Sequence, residues 1–101
     1  MAYEPQGLDA MLAAAVGDDP ALVNELRTAF AESARALAGE LRSAPGDAEW
    51  RAAALRLQGL AASFGALGLM ALAETALAGS AADRATLRRI DAFVDGILLP
   101  H

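Results

Sequence analysis

Cysteine and lysine are both missing from this 101-residue chain, histidine occurs once, and aromatic residues make up only 5% of it. Without cysteine there is neither a disulfide framework nor a thiolate metal site, which suits a reducing compartment. Without lysine, all eight basic residues are arginines, set against 13 acids for a formal net charge of -5. The arginines are scattered along several segments, so no continuous basic face exists to neutralise phosphates, and a nucleic-acid partner is not expected. The longest uncharged apolar run, residues 59–73, stops at Glu74 and falls short of the roughly 20 residues that a membrane span requires. The opening "MAYEPQGLDAML" carries acids where a secretory leader would begin with basic residues. The expectation is a soluble, cytoplasmic protein without a membrane partner.

Groups able to move protons, attack substrates or hold metals are equally scarce. The single histidine is His101, the last residue, beyond Pro100, where chain ends fray and offer no preorganised site. Asp18 and Asp19 look like an acidic pair, but they stand directly before Pro20, where helix capping accounts for them. Glu74 is a lone acid on an otherwise apolar helical stretch and reads as a solvated residue. "GALG" lies inside apolar helical sequence without the lysine and hydroxyl of a phosphate loop. The serines have no histidine to activate them. No enzymatic activity, cofactor or metal is expected.

What the chain does contain is 55% hydrophobic residues, much of that alanine and leucine, which are strong helix formers. The length suits one domain over residues 1–101 with a single core. "GDDP" at 17–20 is a break: Gly17 can close a short first helix carrying Leu8, Met11 and Leu12, Asp19 caps the next helix and Pro20 takes its first position. Leu22, Leu26, Phe30, Ala34, Leu37 and Leu41 then recur at steps of three or four, predicting a long helix that ends near Ser43. "APGD" at 44–47 is the second break, with Asp47 as N-cap of a helix that turns Trp50, Ala53, Leu57, Ala61 and Phe64 inward. Gly65 and Gly68 interrupt before a further helix whose inward residues are Leu69, Met70, Ala73, Ala76 and Leu77. "GSAAD" at 79–83 is the third break, where Ser80 and Asp83 fit a capping box. The last helix buries Leu87, Ile90, Val94 and Ile97 and ends before Pro100.

No alternating strand pattern competes. Short connections imply antiparallel neighbours, so the fold class is all-α: an up-and-down antiparallel four-helix bundle with a short extra N-terminal helix.

The helix after "APGD" has an unusual outer side. Wound at roughly 100° per residue, it places Leu55 about 160° from Leu57, the centre of its buried stripe. Ala52, Gly59 and Ala62 share that outward side, flanked by Arg51, Arg56, Gln58 and Ser63. A solvated helix face normally carries charge at its centre; here the centre is small or apolar. Glycine inside a helix costs about 0.5 to 1 kcal/mol relative to alanine. Gly59 therefore either admits a closely approaching backbone or bulky partner, or is one small residue among the many in an alanine-rich chain.

The same helix resembles the signature helix of bacterial histidine phosphotransfer (HPt) domains, whose motif has the form A-H-x-L-K-G-S-A followed by a small-residue segment. The chain reads Ala54, Leu55, Arg56, Leu57, Gln58, Gly59, Leu60, Ala61 and then "ASFGA" from Ala62 to Ala66. The "GDDPALVNELRTAFAES" opening of the long helix is similar to that family as well, so the resemblance covers most of the chain. Its departures fall on the chemistry: the phosphoacceptor histidine matches Leu55, which has no nucleophilic atom, and the lysine matches Gln58, which supplies no charge. Leu60 stands where the family has a small residue and falls toward the buried side.

The resemblance implies a place in two-component phosphorelay signalling. Its implied docking surface, Arg51, Ala52, Leu55, Arg56, Gln58, Gly59 and Ala62, would meet the receiver domain of a response regulator, or a histidine kinase. Leu55 there implies a pseudo-phosphotransfer module that binds without carrying phosphate, with Arg51 and Arg56 at the rim either steering toward an acidic pocket or serving only as solvated helix charge. The alternative is a homo-oligomerising structural or adaptor bundle, in which the face around Leu55 and Gly59 meets a second copy or an unrelated partner.

Overall fold

The computed structural model describes residues 19–98 together with Leu12, Ala14 and Gly17. Among the described residues four helices follow one another: α1 (Pro20–Arg42), α2 (Asp47–Ser63), α3 (Leu67–Ala78) and α4 (Arg84–Leu98). Each packs against its neighbours in the chain, and α4 returns to α1, closing an all-α four-helix bundle. Short connections make each neighbour antiparallel, and the cross-links agree: Arg35 pairs with Asp95 and Arg42 with Asp91, so the numbering rises along α1 as it falls along α4. The expected short N-terminal helix with Leu8 and Met11, and His101, lie outside the described residues; Leu12 is part of the buried core.

Alanine and leucine dominate that core, as their periodicity predicts. Phe30, Ala34, Leu37 and Leu41 of α1, Trp50, Ala53, Leu57 and Ala61 of α2, Leu69, Ala73 and Ala76 of α3, and Leu87, Ile90, Val94 and Ile97 of α4 are all buried. Because alanine leaves little side chain between helices, a few large residues fill much of the core. Phe30 and Phe64 do so between α1 and the end of α2, with ring centroids 4.7 Å apart and a 36° tilt. Phe64, Met70 and Leu77, all expected inside, are only half-buried along the core's margin, as is Leu26, and Leu22, the first residue of the predicted stripe on α1, is exposed because the first turn of that helix projects beyond its packing partners' core residues.

The first break matches its sequence reading. Asp19 Oδ1 accepts from the backbone N–H groups of Ala21 (3.0 Å) and Leu22 (3.3 Å), with Pro20 at the first helical position. Gly17 has a φ of 72°, a left-handed conformation suited to a helix end. α2 ends through Gly65, whose φ of 66° few residues other than glycine adopt cheaply. Gly68 does not belong to the break: it lies inside α3, where a Cβ would come within 2.7 Å of the Phe93 ring.

Two caps differ from expectation. Gly46, not Asp47, is the N-cap of α2. Asp47 is the first helical residue, and its Oδ1 accepts from the Ala81 N–H at 3.1 Å, so it ties the start of α2 to the α3–α4 connection while still favouring the helix dipole. Ser80 and Asp83 form no capping box. Ser80 instead shapes the turn before α4, its carbonyl accepting from the Asp83 N–H at 2.8 Å. Asp83 immediately precedes α4 and accepts from the Thr86 N–H (3.1 Å) and the Thr86 hydroxyl (2.7 Å). Those two bonds satisfy a buried polar residue, Thr86 being 2% exposed. Gly79 leaves room for the arrangement, since a Cβ there would lie 2.8 Å from Asp83 Oδ2.

The Thr86 hydroxyl, then its N–H and the Arg89 charge, hold the Asp83 carboxyl below the usual carboxylate range. A lowered folded-state pKa means the contribution is complete above the unfolded value and is lost as pH falls through the folded one. Replacing Asp83 by alanine is expected to cost about 1–3 kcal/mol, from the lost cap and the unpaired Thr86 hydroxyl. In urea titrations, the stability gap between wild type and Asp83→Asn should be widest at neutral pH and shrink once the pH drops below the ordinary carboxylate range. A gap independent of pH would show that the charge of Asp83 does not matter.

Candidate docking face on α2

Residues 48–62 wind so that Trp50, Ala53, Ala54, Leu57 and Ala61 are buried while Arg51, Ala52, Leu55, Arg56, Gly59 and Ala62 are exposed. Leu55 is 48% exposed, and Leu22 and Leu67 are the other large exposed hydrophobic side chains among the described residues. All seven residues of the sequence-derived set therefore lie on the accessible side of α2, Gln58 being half-buried at its edge. Leu60 packs partly against the core.

Polar contacts fix how this face sits between its neighbours. On one flank Arg56 Nη1 meets Glu40 Oε1 of α1 at 2.7 Å. On the other, Gln58 Nε2 donates to Glu74 Oε2 of α3 at 3.4 Å. Both contacts are solvent-exposed and contribute little stability, but they bracket Leu55. Arg51 lies on the same face, and among the described residues its guanidinium has no ion-pair partner. Gly59 is open: a Cβ placed there would meet nothing within 4 Å. Among the described residues no element makes the close approach that a helix glycine invites.

Chemically, the face offers an apolar anchor, a shallow floor of small residues and a polar rim. Leu55, at the centre of the face, contributes no nucleophile. Among the described residues no three histidine, cysteine, aspartate or glutamate side chains converge as a metal site, and no helix is long and apolar enough to cross a membrane.

Sequence reasoning alone missed the contribution of α3. Leu67, Ala71, Glu74, Thr75 and Ala78 form its exposed side, and the Gln58–Glu74 contact sets that side next to the α2 face. The spacing of these residues was visible; which helix they would flank depends on the handedness and register of packing, which periodicity does not encode. Comparisons with family models, with curated proteins and with solved structures find no match to this chain.

Proposed function

We propose that the chain is a non-catalytic docking module of two-component signalling, a pseudo-phosphotransfer protein that binds a response-regulator receiver domain or a histidine kinase through the outer face of α2. The observation that carries the reading is Leu55, half exposed at the position that resembles the phosphoacceptor site of HPt domains. Support comes from two further features: the A-L-R-L-Q-G-L-A run with its following "ASFGA", and a four-helix bundle whose other described residues leave this side of α2 exposed.

The chemistry of such a module follows from its side chains. Burying Leu55 in a partner would contribute about 1.5 to 3 kcal/mol, while Gly59 and Ala62 let the partner's backbone approach. Arg51 and Arg56 stand at the rim, where charge affects encounter rate and orientation more than final affinity. Phosphoryl transfer is not part of the role, because Leu55 has no atom to accept the group.

The test is a binding titration of the protein against purified receiver domains and histidine kinases from its host, with wild type beside Leu55→Asp. The expected result is binding to at least one of them, weakened roughly tenfold or more by the buried, unpaired charge. Absence of binding to any of them would overturn the signalling role, and binding indifferent to Leu55→Asp would overturn the assigned face. Incubation with a phosphorylated receiver should leave no acid-labile phosphate on the protein.

A further inference from the structure

We infer that the α2 face is self-complementary and that the chain forms a two-fold dimer through it, with antiparallel α2 helices crossing at Leu55. The observation is the placement of two charges on the α3 flank of this face. Taking roughly 100° per residue from Leu55, Gln58 lies about 60° toward α3 and Arg51 about 40° toward the same side, whereas Gly59 lies about 40° and Ala52 about 60° toward α1. The direction of each flank is set by the Gln58–Glu74 and Arg56–Glu40 contacts.

Along the helix the arrangement is balanced about Leu55. At about 1.5 Å per residue, Arg51 lies about 6 Å before it, while Gly59 and Gln58 lie about 6 Å and 4.5 Å after it. Consider a two-fold axis lying in the plane of the face, across α2 at Leu55. It reverses position along the helix and leaves the α3 flank over the α3 flank. Leu55 then meets its symmetry mate. Arg51, whose guanidinium has no ion-pair partner among the described residues, comes over the Gln58–Glu74 corner of the other copy, where the Glu74 carboxylate has only a 3.4 Å contact. On the α1 flank, Ala52 comes over Gly59, whose open Cβ position lets the two backbones approach. An isologous interface repeats every off-axis contact: the Arg51–Glu74 and Ala52–Gly59 approaches each occur twice, and Leu55 meets its mate on the axis.

A dimer of this form covers Leu55, so self-association and docking of a receiver would compete for one surface. That regulatory consequence rests on the proposed function; the dimer itself does not.

The experiment is analytical ultracentrifugation of the full chain alone, from micromolar to millimolar concentration, for wild type, Arg51→Glu, Glu74→Arg and the double charge swap. Both residues are exposed, and circular dichroism checks that each variant remains helical. Expected are a wild-type mass that rises toward twice the monomer, dissociation constants raised roughly tenfold by either single reversal, and recovery in the double variant, the signature of a direct pair. A wild type that remains monomeric throughout, single reversals without effect, or a double variant that fails to recover would each overturn the inference. Because no receiver is present, these outcomes are independent of whether the signalling role stands.

Discussion

Replacing Trp50 by alanine is expected to be the most damaging single change in this protein, costing about 3–5 kcal/mol of stability. Trp50 is the chain's only tryptophan and is fully buried near the start of α2. In a core built largely from alanine, few neighbours have side chains long enough to fill the hole it would leave, so the cavity cost is not relieved by collapse. For a domain with about 5–15 kcal/mol in total, this is a large fraction, equivalent to a fall of roughly 20 °C in Tm. Thermal unfolding followed by far-ultraviolet circular dichroism measures it without relying on the lost fluorophore.

Packing and hydrogen bonding can be separated at this residue. The Trp50 indole N–H donates to the Ala76 carbonyl at 2.7 Å, linking the first turns of α2 to the last turn of α3. That carbonyl also accepts from the Gly79 N–H at 3.1 Å, so removing the indole does not orphan it. Loss of the bond alone should then cost only the modest net value of about 0.5–1.5 kcal/mol. Trp50→Phe, which keeps most of the apolar volume, is accordingly expected to retain much of the stability that Trp50→Ala loses. If the two variants fell equally far, the bond rather than the packing would be the principal contribution.

The legibility of this chain divides along the same physical line. The all-α bundle was readable because hydrophobic periodicity is local: the inward positions of α1, α2 and α4 follow from steps of three and four, and Asp19–Pro20 marks the start of α1 through chemistry confined to adjacent residues. Errors arose where a side chain had a choice of partners. Asp83 serves Thr86, three residues on, instead of boxing with Ser80, a choice between two local partners; Asp47 binds the Ala81 N–H instead of capping its own helix, a contact that depends on how distant elements dock. The same limit applies to the α2 face. That Leu55 points outward follows from its angle to Leu57; that Glu74 stands beside Gln58 does not, since it requires the register of α3 against α2.

Leu55 and Leu57 make that division measurable, because two chemically identical residues two positions apart should have opposite fates. Leu57 is fully buried and Leu55 is 48% exposed. Leu57→Ala removes atoms packed among α2's neighbours and is expected to cost about 2–5 kcal/mol. Leu55→Ala removes a side chain already half in water, and at an exposed helix site alanine is the best helix former; its effect on the monomer should lie within about 0.5 kcal/mol. Urea unfolding at a concentration where sedimentation shows only monomer gives both numbers. A large loss at Leu55 under those conditions would mean that the residue serves the bundle's own packing. Near-neutrality there would leave its apolar character without a structural use in the single chain, and the leucine would have to be explained by what binds to it.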